Sequence, residues 1–224
     1  MAKKQKKKPQ TTWEKIWHFI WHDDSAASWA VNIILAFIII KFLVYPGLGA
    51  LLGTSLPVVA VVSESMDHDY VKDQCNPRWV LCGDVITDKG AGQEFWGACG
   101  EWYEDNGISA EDFLSYPMNK GFSKGDIIVL RGKDPADIDV GDIVVFSAQK
   151  PYPIIHRVVH KELTENGYVF ETKGDHNQMQ IVERGLNEKN VHEDLVIGTA
   201  AARIPWLGWV KIAAVDLLRG NNRC

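Results

Sequence analysis

At 224 residues the chain is long enough for one sizeable folded domain with appendages, and 46% hydrophobic with 24% charged residues excludes a disordered or collagen-like polymer. A formal charge of -5, from 24 basic and 29 acidic residues, argues against nucleic acid as a partner, because phosphate binding needs a concentrated positive surface. Lys3, Lys4, Lys6, Lys7 and Lys8 crowd the N-terminus, and nine Trp with a long apolar stretch after residue 28 point to a membrane.

In chain order, Trp13, Ile16, Trp17, Ile20 and Trp21 fall on one helical stripe, with Glu14, Lys15 and His18 off it. A Trp-rich stripe of this kind suits the lipid interface. From Trp29 the sequence is apolar as far as Leu52 except for Asn32, Lys41 and the Pro46-Gly47 pair, long enough for a bilayer span. A start near Trp29 lets Lys41 snorkel to the far interface beside Tyr45. The run is too long for a signal-peptide core, and the basic cluster lies too far upstream of it. By the positive-inside rule the Lys cluster stays in the cytosol, so one crossing places everything after about residue 52 outside.

Beyond the span the pattern is that of strands: LPVVAVV (56–62), DIIVL (126–130), DIVVF (142–146), IIHRVV (154–159) and YVFET (168–172) are short, β-branched and bounded by turn residues. Gly-Asp recurs at 83–84, 125–126, 141–142 and 174–175, and a turn that opens a strand accounts for the first three. Residues 67–122 differ, with 11 acidic against 4 basic residues, seven Gly, three of the four Cys and little strand pattern, and they read as an acidic surface insertion. One disulfide among Cys75, Cys82 and Cys99 fits an oxidising compartment, with the pairing open. The patch IPWLGWVK (204–211) reads as a core edge or an interfacial tether through Trp206 and Trp209.

No CxxC or HExxH supplies a metal site, and Asp67, His68 and Asp69 read more readily as a solvated acidic loop than as cation ligands. The richer signal is VVSESM (61–66), where an apolar strand runs into a turn carrying Ser63 and Ser65. A Ser at a strand end can reach a groove while nearby backbone N–H groups remain free for an oxyanion. It needs a base. His156 lies inside the otherwise apolar IIHRVV, and Asp175 in TKGDHN follows another strand, able to orient an imidazole.

Taken in order, the basic N-terminus, one span, the SESM, GDIVVF, IIHRVV and TKGDHN boxes and the closing VIGxAxxRIPWLGWVK resemble a type I signal peptidase of the archaeal and endoplasmic-reticulum branch, over residues 29–66 and 123–211. The resemblance implies a mostly β catalytic domain with an N-terminal amphipathic helix and one transmembrane helix. The divisions are 1–28 for the basic tail and interfacial helix, 29–52 for the span, 53–66 with 123–224 for the peptidase domain, and 67–122 for the Cys-containing insertion. It implies Ser65 as nucleophile, Ser63 at the oxyanion site, His156 as general base where bacterial relatives carry Lys, and Asp175 as the acid. The family's further Asp, six residues on, is here Ile181, so either Asp175 alone orients His156 or Glu183 substitutes. No metal or organic cofactor is implied. The implied partners are signal peptides of exported preproteins, the lipid bilayer and the secretion translocon. An inactive, membrane-tethered binding subunit of the same fold is the alternative.

Overall fold

The structure, a computed structural model, describes residues 11–73 and 76–209. The Lys cluster at positions 3 to 8, Cys75, Val210 and Lys211 lie outside the described residues. Two compact units divide near Leu51 and are taken separately.

In the first unit, α1 (Thr12–His22) opens on a capping box, Thr11 and Glu14 each bonding the other's backbone N–H. Its Trp13, Trp17 and Trp21 are exposed along one stripe. Next come α2 (Ala26–Ile39), a π-helical turn (Ile40–Val44) and α3 (Tyr45–Leu52). These run on as one helix of 27 residues, Ala26–Leu52, which contains an 18-residue stretch of mean hydropathy 2.2 and is long and apolar enough to cross a membrane. The helix thus begins three residues before the expected start at Trp29. The two polar residues near its start are satisfied by the end of α1: Ser28 Oγ donates to the Phe19 carbonyl (2.5 Å) and Asn32 Nδ2 to that of Ile20 (2.9 Å). Pro46 explains the π turn. It has no N–H to give the carbonyl four residues earlier, and the turn widens so that the Tyr45 N–H reaches Ile40.

The second unit is mostly β. It contains β1 (Val58–Ala60), then a segment with β2 (Val71–Lys72), β3 (Trp79–Leu81), β4 (Asp84–Ile86), α4 (Phe95–Asp105) and α5 (Ala110–Ser115). There follow β5 (Ile127–Arg131), β6 (Ile143–Phe146), β7 (Ile154–Thr164), β8 (Gly167–Lys173), β9 (Val182–Glu183), β10 (Leu186–Asn187), β11 (Val191–His192) and β12 (Val196–Ile204). One seven-stranded sheet has the order β1-β5-β12-β6-β7-β8-β11, every neighbour antiparallel. β6 shows why DIVVF is continuously apolar. Ile143 and Val145 join one buried cluster with Val61, Met66 and Ile128, while Val144 and Phe146 join another with Val158, Phe170 and Val191. Gly83, Gly125 and Gly141 all have positive φ, as turns into strands require, whereas Gly174 does not share that conformation.

Residues 67–122 are not a bare surface excursion. They hold a three-stranded sheet β2-β3-β4, two helices, a Cys82–Cys99 disulfide, and a core of Tyr70, Leu81, Cys99, Tyr103, Ile108 and Phe113 that includes Val159 of β7. Trp206 is exposed, and the Trp209 ring packs against Gly125.

Candidate active site

β1 delivers the chain to the SESM turn, closed by the Asp67 N–H on the Glu64 carbonyl (3.0 Å). Met66 anchors that turn, fully buried in the core with its carbonyl accepting from the Phe122 N–H (3.0 Å). Ser65 is therefore half-buried on a fixed backbone, and its Oγ lies 3.2 Å from that of the exposed Ser63. Its carbonyl accepts from the His176 N–H (2.9 Å), which ties the turn to the loop after β8.

His156 stands on β7 opposite Val144 of β6 and is 4% exposed. Its Nδ1 bonds Oε1 of Glu188, a carboxylate with no exposed surface. Glu188 follows β10, and the β9-β10 hairpin folds it back beneath the histidine. Thr172 Oγ1 donates to the same oxygen (3.1 Å) and the Ile181 N–H to the other (2.6 Å), so the burial of this carboxylate is compensated. An ionised carboxylate only accepts, so Nδ1 carries the proton and Nε2 is left as the acceptor. That Nε2 faces the serine turn. A Cβ built on Gly174 would lie 2.9 Å from His156 Nε2 and 2.8 Å from the Ser65 carbonyl oxygen. Only glycine lets the Ser65 turn and the His156 ring approach this closely. Asn177 Nδ2, 2.6 Å from the same point, is the one buried side-chain donor among the described residues without a partner.

The structure does not bring Asp175 to His156. Its carboxylate is fully buried and accepts instead from Arg157 Nε (2.9 Å) and Nη2 (2.7 Å), from Tyr103 Oη (2.9 Å) and from His68 Nε2 (2.9 Å). Burial alone would raise its pKa, but the Arg157 guanidinium and then the His68 hydrogen bond outweigh this and hold it well below the usual carboxylate range. Glu183 is also elsewhere, largely exposed and paired with Lys150 (2.6 Å), because the hairpin turns it outward as it turns Glu188 inward. His68, weighed with Asp67 and Asp69 as a cation ligand, is committed to Asp175. Lys173, opposite Arg157 on β8, is buried against the Trp102 and Tyr103 rings, and that burial pulls its ammonium down to about 8 despite Asp175 and Glu188 nearby.

A hydroxyl on a fixed turn, an imidazole with its acceptor nitrogen facing that turn, and a buried carboxylate behind it form an arrangement suited to acyl transfer. No protein-family model matches the chain. Over 111 residues, 46% of its length, it is 36% identical to the signal peptidase complex catalytic subunit SEC11 of Komagataella phaffii, of which 64% is covered. It is 37% identical over 107 residues to the protein of the same name from Clavispora lusitaniae, with 46% of this chain and 63% of the relative covered. To SEC11C of Homo sapiens it is 34% identical over 108 residues, 46% and 55% of the respective lengths. The chain therefore spans less than two thirds of the length of these curated relatives. Motifs, fold and relatives converge: the resemblance to the archaeal and endoplasmic-reticulum branch of the type I signal peptidases is borne out, and this chain is a homologue of signal peptidase catalytic subunits.

Proposed function

We propose that the chain is a membrane-bound serine endopeptidase that cleaves N-terminal signal peptides from exported preproteins. The observation that carries this reading is His156, with Nδ1 on a buried carboxylate and Nε2 beside the Ser65 turn across Gly174. Ser65 Oγ attacks the scissile carbonyl while His156 takes its proton, and His156 returns that proton to the leaving amine. Water then enters, activated by the same imidazole, and hydrolyses the acyl-enzyme. The Ser65 N–H and the Ser63 hydroxyl hold the oxyanion. Glu188 takes the orienting role first assigned to Asp175 or Glu183, and reaches it from seven residues beyond Ile181.

The substrate lies extended along the edge strand β1, paired through its main chain. Residues 1–28 act as a cytosolic tail with an interfacial helix, residues 29–52 are a single crossing, and the β unit works on the extracytoplasmic face of the cell membrane. There it meets preproteins as they leave the secretion translocon. The relatives' names speak of a complex, and assembly with further subunits follows for this chain on the same reading.

The test is incubation of the detergent-solubilised chain with a model preprotein, for wild type, for Ser65→Ala and for wild type with a chelator. Cleavage at the end of the signal peptide, abolished in Ser65→Ala and indifferent to chelation, is expected. Cleavage that survives Ser65→Ala would sink the reading.

A further inference from the structure

The 67–122 segment grips the loop between β8 and β9. α4 is held at two positions one helical turn apart: Cys99 is disulfide-bonded to Cys82, and Tyr103, with no exposed surface, gives its hydroxyl to Asp175 Oδ1 (2.9 Å). His68, stacked on Phe95 of the same helix (3.7 Å), takes the other Asp175 oxygen (2.9 Å). Cys82 itself donates its N–H to the His176 carbonyl (3.0 Å). Trp102 and Tyr103 also roof Lys173, the last residue of β8.

On either side of Asp175 stand the two residues that touch the catalytic pair. Gly174 fills the gap between the Ser65 carbonyl and His156 Nε2, and the His176 N–H holds the Ser65 carbonyl (2.9 Å). We propose that Tyr103 and His68 are positioning residues, which act through Asp175 to hold the Gly174–His176 loop at the spacing that sets Ser65 against His156. The proposal rests on the peptidase reading above and gives the segment outside the family resemblance a part in turnover. A hydroxyl donated to a buried carboxylate is worth enough that its loss lets the loop drift, and orientation errors at a reacting pair cost rate rather than binding.

The experiment is a double-mutant cycle on the full chain in detergent, read as kcat and KM for a short soluble peptide bearing the cleavage site. Tyr103→Phe keeps the ring and removes only the hydroxyl; it is expected to lower kcat about tenfold with KM unchanged within about twofold. In an Asp175→Asn background, itself slowed, the same change should have no further effect. His68→Gln is expected to behave likewise and carries the readout should Tyr103→Phe not fold. Wild-type kcat in the single variants, or an equal loss in both backgrounds, would overturn the proposal while leaving the peptidase reading intact. Cleavage that survives Ser65→Ala would instead remove the reading and the proposal together.

Discussion

Replacing Glu188 with Gln exchanges one carboxylate oxygen for an NH2 and keeps the shape, yet the hydrogen bonds around it dictate a large effect. The Ile181 N–H lies 2.6 Å from Oε2, so an amide must turn its carbonyl oxygen to that side. Its NH2 then falls where Oε1 meets His156 Nδ1 and Thr172 Oγ1. A donor cannot face Nδ1–H, so the imidazole moves its proton to Nε2 and can no longer take one from Ser65. The wrong tautomer in serine hydrolases costs about 10⁴ in kcat, a barrier rise of about 5.5 kcal/mol. We expect kcat for a short soluble peptide to fall by about 10³ to 10⁴ with KM little changed, in a protein whose melting temperature stays near that of wild type. Glu188→Asp, one methylene shorter, should fall between the two. A Glu188→Gln protein within about tenfold of wild-type kcat would show that this carboxylate does not set the tautomer of His156.

Ser65 and His156 should behave as a unit: removing either is expected to cost about as much as removing both, roughly 10⁴ to 10⁶ in kcat, and additive losses would refute the pairing. Glu183→Gln should leave kcat unchanged, since among the described residues that carboxylate pairs with Lys150 near the surface; a drop of tenfold or more would return the orienting role to it. Lys173 makes stability depend on pH. Its folded pKa of about 8 lies below its unfolded value near 10.5, so between those values the unfolded chain binds more protons and stability rises with pH. From pH 8 to about 9.5 the wild type should gain about 1 to 2 kcal/mol relative to Lys173→Met, measured by denaturation in detergent; equal slopes in both proteins would contradict the buried charge.

How much of this was readable in the sequence follows from which contacts are local. β6 and β7 were legible because each apolar run is buried on the sheet and bounded by turns. β12 carries little mark of a strand in the sequence, since Gly198 and the Ala200–Ala202 run lack β-branched side chains; its pairing with both β5 and β6 makes it a strand. LPVVAVV over-reads β1 at its ends: the register with β5 covers Val58–Ala60, and single backbone bonds extend the pairing to Pro57 and Val61. In the 67–122 segment two glycines masked α4, although Phe95, Cys99 and Tyr103 recur every four residues on its inner face. Ser65 and His156 stood out because a polar residue in an apolar strand or at its end demands a partner. Glu188 carried no such mark. Its contact with His156 exists only once a hairpin of two-residue strands has folded back, and nothing in LNEKN announces that.

β1 is three residues long and, among the described residues, stands at the edge of its sheet with β5 as its one neighbour. A polypeptide laid along it gains two or three main-chain hydrogen bonds, about 1 to 4 kcal/mol in all. That is a latch of millimolar affinity at best, far short of what a freely diffusing peptide needs to be held at cellular concentrations. On the proposed peptidase reading, an enzyme with so short a docking edge depends on its substrate being brought to it already aligned, and a chain threaded through the same bilayer would be delivered in that way. The shortness protects as well, for three bare residues are too few to seed edge-to-edge aggregation of the sheet with a second copy of itself.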